Sequence, residues 1–102
     1  MPIRKPDIGF IPTPKVAIDT LLQIVNVTAS DVVYDLGCGN GEIVITAALN
    51  YGASGVGIDI DPQRIQEAQK NARLAGVSDR VQFRQQDLFE STFEDATIII
   101  LY

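Results

Sequence analysis

Histidine is absent from the 102 residues of this sequence. Its absence removes the side chain that most often serves as a general acid or base near neutral pH. It also excludes a serine–histidine–aspartate triad and any metal site that needs an imidazole ligand.

Cysteine, long apolar segments and positive charge are scarce as well. Cys38 is the single cysteine, so no disulfide can form within the chain, which is consistent with the cytoplasmic location that we predict. No apolar run approaches the roughly 20 residues of a membrane-spanning helix, and prolines interrupt the N-terminal segment where a signal peptide would lie. The net charge of −5 disfavours a nucleic-acid partner.

The remaining composition, 46% hydrophobic and 21% charged, is typical of a globular domain. At this length we expect one domain with one modest core. We predict a flexible N-terminus over residues 1–9 and a ligand-binding part over residues 10–102.

Helical and extended patterns alternate along the ligand-binding part. Apolar residues at helical spacing predict three amphipathic helices, which follow Pro14, Gly41 and Asp61. Short apolar or alternating runs predict four strands, at 32–36, 55–59, 81–84 and 96–102. This alternation indicates an α/β fold with a parallel, Rossmann-like sheet in three layers. Right-handed crossovers and the half-exposed pattern of the third strand favour the strand order 3-2-1-4.

Glycines and acids gather where the predicted strands end. Asp35 ends the first strand, Asp59 ends the second, and Asp87 follows the third. The first strand leads into a turn that lets a ligand approach bare backbone beside the positive end of a helix. Its glycines are Gly37, Gly39 and Gly41. Because the carboxyl ends of such strands meet at one cleft, we expect these groups to converge there.

Two kinds of cofactor fit this glycine turn. A dinucleotide fold carries Gly-x-Gly-x-x-Gly and an acid about 20 residues further on, but Glu42 stands here where the third glycine would be. A phosphate-binding P-loop is excluded, since no Gly-Lys-Ser or Gly-Lys-Thr follows. The surrounding carboxylates favour a cationic ligand without a pyrophosphate, such as S-adenosylmethionine. Asp59 could then accept both ribose hydroxyls and Asp87 the adenine amino group, while Ile60 and Leu88 enclose the adenine ring.

Each of these residues also has a purely structural interpretation. The glycine turn could simply join a strand to a helix, and Asp35 could accept hydrogen bonds from the N–H groups of that turn. Cys38 could be present for its small size. Asp61, followed by Pro62, is expected to cap the third helix rather than to bind a ligand.

Three ordered segments resemble motifs of the class I S-adenosylmethionine-dependent methyltransferases, namely Asp35-Leu-Gly-Cys-Gly-Asn-Gly41, Gly57-Ile-Asp59-Ile-Asp-Pro62 and Gln86-Asp87-Leu-Phe. The resemblance extends from about residue 10 to the last residue. It implies S-adenosylmethionine as the cofactor, with the turn glycines at its methionine part, Asp59 at its ribose and Asp87 at its adenine. We count Asp35 and Cys38, which belong to the same turn, among the expected cofactor-binding residues.

The segment Phe10-Ile-Pro-Thr-Pro14 is similar to small bacterial relatives of mitochondrial protein-lysine methyltransferases, which implies a protein lysine as one candidate acceptor. Two other functions stay open: a non-catalytic S-adenosylmethionine-binding module, and an NAD(P)-binding oxidoreductase domain. No residue stands out as a general base.

The end of the chain departs from the family pattern. Methyltransferases of this class typically have seven strands, whereas this sequence supplies four, so we expect a truncated fold. The last strand would then be a sheet edge that lacks charge, proline or a bulge. We therefore predict either self-association through residues 96–102 or a longer chain.

Overall fold

The computed structural model describes Ile3, Arg4 and residues 15–101. The strands are β1 (Ile3–Arg4), β2 (Val32–Leu36), β3 (Ser54–Asp59), β4 (Val81–Gln85) and β5 (Ile98–Leu101). The helices are α1 (Lys15–Ile24), α2 (Glu42–Tyr51) and α3 (Pro62–Ala75), and a short 3₁₀ helix, Leu88–Glu90, lies between β4 and β5. Among these described helices, none combines the length and the apolar character needed to cross a membrane.

Four strands form a parallel sheet in the order β5-β2-β3-β4. This is the predicted order 3-2-1-4, which the structure confirms. The register places Asp35 of β2 between Gly57 of β3 and Ile100 of β5. Asp59 pairs with Gln85 at the end of β4. The carboxyl ends of β2, β3 and β4 therefore lie at one edge of the sheet.

The expectation that the last strand is an open edge is wrong at Ile98 and Ile99. β1 pairs with β5 in antiparallel fashion, with Ile3 opposite Ile99 and Arg4 opposite Ile98. Ile3 and Arg4 were expected to be part of a flexible terminus. Two residues are too few to show an extended pattern in a sequence, and the pairing depends on a partner more than 90 residues away. Self-association through residues 96–102 loses its basis at these two positions.

All three described helices lie against one face of the sheet. Leu22 of α1, Val44 of α2 and Ala72 of α3 share a buried cluster with Val33 of β2. Gly55 of β3 allows α2 to pack closely, because a Cβ atom at that position would lie 2.7 Å from the Cβ atom of Val44. The core thus depends on a small residue in the strand as much as on large ones in the helices.

The opposite face of the sheet carries a second apolar cluster, formed by Tyr34, Leu36, Val56 and Ile58. The segment that follows β4 covers it, with the Phe93 ring edge-on to Tyr34 at a centroid distance of 5.9 Å. The Tyr34 hydroxyl donates a hydrogen bond to Asp95 at 2.6 Å. Within residues 15–101 no helix lies on this face, so the helical layer predicted there is not among the described residues.

A buried polar network joins the amino ends of β2 and β5. The Thr97 hydroxyl donates to Asp31 Oδ1 at 2.8 Å and accepts from the Val32 N–H at 2.9 Å. The second oxygen of Asp31 accepts from the backbone N–H of Thr28 at 2.8 Å. Asp31 is buried, so these bonds replace the water that its carboxylate loses on folding.

We expect Thr97→Val to lower the free energy of unfolding by about 1–3 kcal/mol, because the buried Asp31 carboxylate and the Val32 N–H lose a partner. Thr97→Ser keeps the hydroxyl and serves as the matched control, with a much smaller loss. Urea denaturation of the two variants and the parent chain measures the difference. Equal stability of the valine and serine variants would contradict the role of this network.

Candidate cofactor site

The glycine turn is held in place by the end of β3. The N–H groups of Gly37 and Cys38 both donate to the Ile58 carbonyl oxygen, at 2.7 and 3.0 Å. One β3 carbonyl therefore fixes the first half of the turn, directly after β2 ends.

Two side chains hold the second half of the turn. Asp59 Oδ2 accepts from the Gly39 N–H at 2.9 Å, and Asn71 Nδ2 of α3 donates to the Asn40 carbonyl at 3.1 Å. The other oxygen of Asp59 accepts from the Asp61 N–H at 3.0 Å. Asp59 thus links the glycine turn to the start of α3. Asn71 was not predicted, because a polar residue on a helix carries no sign of its distant partner.

The three turn glycines all have positive φ, of 85°, 55° and 83°, but they have different surroundings. A Cβ atom on Gly39 would meet no atom within 4 Å, so open space lies beside that residue. A Cβ atom on Gly41 would lie 2.7 Å from the Phe83 ring and 3.0 Å from Ala68 Cβ. Gly39 leaves room for a ligand, whereas Gly41 is required by the packing beneath the turn. Phe83 is a residue that the sequence analysis missed.

A cleft of about 190 Å³ opens at the carboxyl end of β3. Its walls are formed by Gly37, Asp59, Ile60, Gln86 and Asp87. Four of these are predicted site residues; Gln86 was missed, although it directly precedes Asp87 in the third motif. Asp87 Oδ1 accepts from the Phe89 N–H at 2.9 Å, which starts the 3₁₀ helix. The side chain of Leu88 lies outside the described part, so its predicted place beside the adenine stays a prediction.

A smaller cavity of about 80 Å³ lies at the second half of the glycine turn. Cys38 and Gly39 line it, together with Asn40, Arg64 and Ile18, among others. The turn therefore borders two spaces, one with the strand-end acids and one with the start of α2. Two larger cavities, each of about 400 Å³, lie elsewhere and contain none of the predicted site residues.

Asp35 lies in the interior beneath the turn. It is 1% exposed, and neither carboxylate oxygen has a hydrogen-bond partner. The interpretation that it accepts from N–H groups of the turn is therefore wrong, since the bonds of Gly37, Cys38 and Gly39 go to β3. Burial raises the pKa of Asp35 to about 8, and the negative charge of Asp59 adds to the rise.

The Cys38 side chain is buried. Burial, with Asp35 and Asp59 nearby, raises the pKa of its thiol to about 12, so it is protonated at neutral pH. Its sulfur occupies the space beside Gly57, where a Cβ atom would lie 2.8 Å from it. This supports the interpretation that a small side chain is needed here. Asp61 caps α3 as predicted, because its side chain accepts from the Gln63 N–H at 2.9 Å.

The strand order, the glycine turn and the cleft of strand-end acids define a class of protein that comparison with known families confirms. The chain belongs to the class I S-adenosylmethionine-dependent methyltransferases, as its motifs predicted. Within that class, the family whose model matches is the ANTKMT methyltransferase domain, over residues 35–102.

Individual relatives agree with this placement. A protein-lysine N-methyltransferase of Saccharolobus islandicus (strain REY15A) is 37% identical over 98 residues, covering 95% of this chain and 61% of the relative. A ribosomal protein L11 methyltransferase of Glaesserella parasuis serovar 5 (strain SH0165) is 41% identical, over 88% of this chain and 30% of the relative.

Among solved structures, an RNA methyltransferase from Salinibacter ruber in complex with S-adenosyl-L-homocysteine superposes with a TM-score of 0.87. The two chains are 53% identical, and the match covers 90% of this chain and 60% of the neighbour. The chain thus spans about three-fifths of the length of the first of these relatives and of this neighbour.

The surroundings of the glycines predict different costs of substitution. Gly41→Ala should be about 1–3 kcal/mol more destabilising than Gly39→Ala, because only the Gly41 methyl group would overlap the Phe83 ring. Both changes strain a positive φ, so that cost largely cancels in the comparison. Urea denaturation gives the two free energies. If Phe83→Leu failed to reduce the cost of Gly41→Ala, overlap with the ring would not be the cause.

The buried Asp35 carboxyl predicts a pH dependence of stability. Because its pKa rises from 3.8 to about 8 on folding, the folded state keeps a proton that the unfolded chain releases between these values. Asp35 therefore lowers the free energy of unfolding as pH rises through this range, and its effect levels off above about pH 8. Asp35→Asn should gain stability relative to the parent chain over that range. A stability difference that stays constant with pH would show that Asp35 is not protonated in the fold.

Proposed function

We propose that this chain forms the cofactor-binding part of an S-adenosylmethionine-dependent methyltransferase. The observation that carries the proposal is the convergence of Gly37, Asp59, Ile60 and Asp87 on one cleft at the carboxyl ends of the strands. Membership of the family supports it, as does the S-adenosyl-L-homocysteine named for the Salinibacter neighbour.

The residues of the cleft fit the adenosine part of this cofactor. Each Asp59 oxygen accepts one backbone N–H, and a carboxylate oxygen can accept a second bond, so both oxygens keep capacity for a ribose hydroxyl. Ile60 is 69% exposed and offers an apolar surface to the adenine ring. One oxygen of Asp87 holds the Phe89 N–H, and its carboxylate retains acceptor capacity for the adenine amino group.

The turn fits the methionine part. Gly39 has open space where any other residue would have a Cβ atom, so a ligand can lie against its backbone. Glu42 and Ile43 at the start of α2 line the same small cavity as Gly39, so the positive dipole end of this helix suits the ligand carboxylate. Beneath the turn, the two carboxyl oxygens of Asp35 have no hydrogen-bond partner within the fold, which suits the cationic end of the ligand.

The cofactor, when bound, supplies an activated methyl group on a sulfonium. This chain would hold the cofactor so that an acceptor can approach the methyl group in line with the sulfur–methyl bond, which breaks. The sequence has no histidine, and the described acids of the cleft serve in binding under this proposal. An amine acceptor would therefore lose its proton to solvent or to a group outside the described residues.

We propose a protein lysine as the acceptor class. The Saccharolobus relative, which matches 95% of this chain, is a protein-lysine N-methyltransferase, and the Glaesserella relative also acts on a protein. The Salinibacter neighbour is an RNA methyltransferase, so RNA is the rival acceptor that an assay must include. The acidic net charge of −5 favours a lysine-rich protein over RNA.

We expect calorimetry to detect binding of S-adenosylmethionine and none of NAD. Asp59→Ala should weaken S-adenosylmethionine binding by about 1–3 kcal/mol, the cost of losing hydrogen bonds to a charged group. Asp79→Ala is the matched control, since it removes an exposed acid that lines a different cavity. Binding of NAD alone would refute the proposal, and an unchanged affinity in Asp59→Ala would refute the ribose role.

Methyl transfer is tested separately from binding. The chain is incubated with methyl-labelled S-adenosylmethionine and, in parallel, poly-lysine, poly-arginine or a short RNA. The proposal expects label on poly-lysine alone. Label on RNA alone would assign the other acceptor, and binding without transfer to any polymer would favour the non-catalytic module.

A further inference from the structure

β4 is an outer strand of the sheet, with β3 as its single neighbour among the described strands. Just before and just after β4, the Arg80 carbonyl accepts a backbone hydrogen bond from β3, and the Gln86 N–H donates one to it. Backbone groups along a strand alternate between its two edges. Val81, Phe83 and Gln85 therefore direct their N–H and C=O groups away from β3, along an edge with which no described strand pairs.

This edge has few of the features that protect natural sheet edges, which are charges, proline and bulges. β4 pairs with β3 residue for residue over its 5 positions, so it contains no bulge. Its sequence, Val-Gln-Phe-Arg-Gln, has no proline and one charged residue, Arg84. A free edge of this kind is a surface to which an extended peptide can add as a further strand.

One of the two larger cavities, of about 400 Å³, lies where α3 meets this edge. Ala72, Val81 and Phe83 form its apolar lining, and two arginines, Arg73 and Arg84, line it as well. Its remaining lining side chains are neutral amides and one hydroxyl. None of its described lining residues is acidic, although the chain carries 13 acids against 8 bases. The cavity therefore favours an anionic occupant that also has apolar groups.

The two arginines of this cavity have no acidic partner among the residues that the structure describes. Neither Arg73 nor Arg84 forms an ion pair there, and the Arg84 guanidinium donates to the neutral amide oxygen of Gln82 at 3.1 Å. Arg73 is exposed in the last turn of α3. A carboxylate that reaches Arg73 would gain a charge-assisted hydrogen bond without breaking an existing ion pair.

The opposite face of the same edge differs in charge. The cavity on that face, which Val56 of the second apolar cluster lines, carries the acids Asp79 and Asp95 beside Arg80 and Arg84. Successive side chains of an added strand point to opposite faces of the sheet. Acidic and apolar side chains at alternate positions would therefore face α3, and neutral side chains between them would face the mixed cavity.

We propose that the β4 edge binds an extended peptide with acidic residues at alternate positions, which joins the sheet as a strand beside β4. Its backbone pairs with Val81, Phe83 and Gln85, and its carboxylates pair with Arg73. A second copy of β4 is a poorer occupant, because it carries an arginine and no acid. The inference goes beyond the proposed function and does not depend on it, since the cavity shares no described lining residue with the cofactor cleft.

Binding is measured by fluorescence anisotropy with labelled peptides at low ionic strength. The probe is Thr-Glu-Thr-Val-Thr-Glu-Thr, in which the glutamates and the valine share one face of a strand. Its isomer Glu-Glu-Thr-Thr-Val-Thr-Thr places the two glutamates on opposite faces, and Thr-Lys-Thr-Val-Thr-Lys-Thr reverses the charge. We expect the 102-residue chain to bind the probe about fivefold more tightly than either control peptide.

One pair of variants tests the charge. Arg73→Ala should weaken probe binding about fivefold, the scale of one exposed ion pair. Lys70→Ala is the matched control, because it removes an exposed cation of the same helix that does not line the cavity. Its affinity for the probe should stay within about twofold of that of the parent chain.

A second pair of variants tests the backbone pairing. Gln85→Pro removes the outward N–H group at the edge and leaves the hydrogen bonds between β4 and β3 in place, so it should abolish probe binding. Gln85→Ala keeps that N–H group and should bind the probe as the parent chain does.

Equal affinity for the probe and its isomer would overturn strand addition, as would probe binding that survives Gln85→Pro. Equal effects of Arg73→Ala and Lys70→Ala would refute the contact with Arg73. A short labelled RNA that binds where the probe does not, or dimers that Gln85→Pro dissociates, would overturn the proposal in favour of RNA or of a second copy. If Gln85→Pro did not fold, as judged by circular dichroism, the isomer and the Arg73 and Lys70 variants would still decide.

Discussion

The fold and the site meet at one carbonyl group, that of Ile58. It accepts two hydrogen bonds from the residues that follow β2, and so the direction of the glycine turn is set by the neighbouring strand. This requires β2 and β3 to be parallel and in the observed register, with Leu36 opposite Ile58. The next residue, Asp59, accepts hydrogen bonds from the Gly39 N–H and from the Asp61 N–H at the start of α3. A shift of β3 would displace the turn, the Asp59 carboxylate and the start of α3 together.

The two acids nearest the turn have opposite environments. Asp59 is partly exposed and accepts two N–H bonds, whereas Asp35 is buried and receives no bond, and its burial raises its pKa to about 8. The nearby negative charge of Asp59 adds to the rise in the pKa of Asp35 that burial causes. A site that looks triply acidic in the sequence is therefore less negative in the folded chain.

Features set by local pattern could be predicted, and those set by distant contacts could not. The helix that Asp61 and Pro62 begin follows from short-range chemistry, and the parallel order follows from handed crossovers and from the alternation in β4. The packing of Phe83 under Gly41 joins residues 42 positions apart, so the glycine pattern alone could not separate a ligand contact from a steric need. The same holds for β1, whose partner is at the far end of the chain. Gln86 is different, since it stood within a recognised motif.

The segment between β4 and β5 both lines the cleft and covers the second face of the sheet. The segment leaves β4, supplies Gln86 and Asp87 to the cleft, is braced there by the Ser91 hydroxyl, and reaches Phe93 and Asp95 within a few residues. Its attachment to the sheet includes one aromatic contact and one hydrogen bond, both made by Tyr34. Immobilising Asp87 would therefore shorten the free length of this segment and restrict its fraying. Amide hydrogen exchange would then slow in the part of the segment that covers the second sheet face, where Tyr34 anchors it.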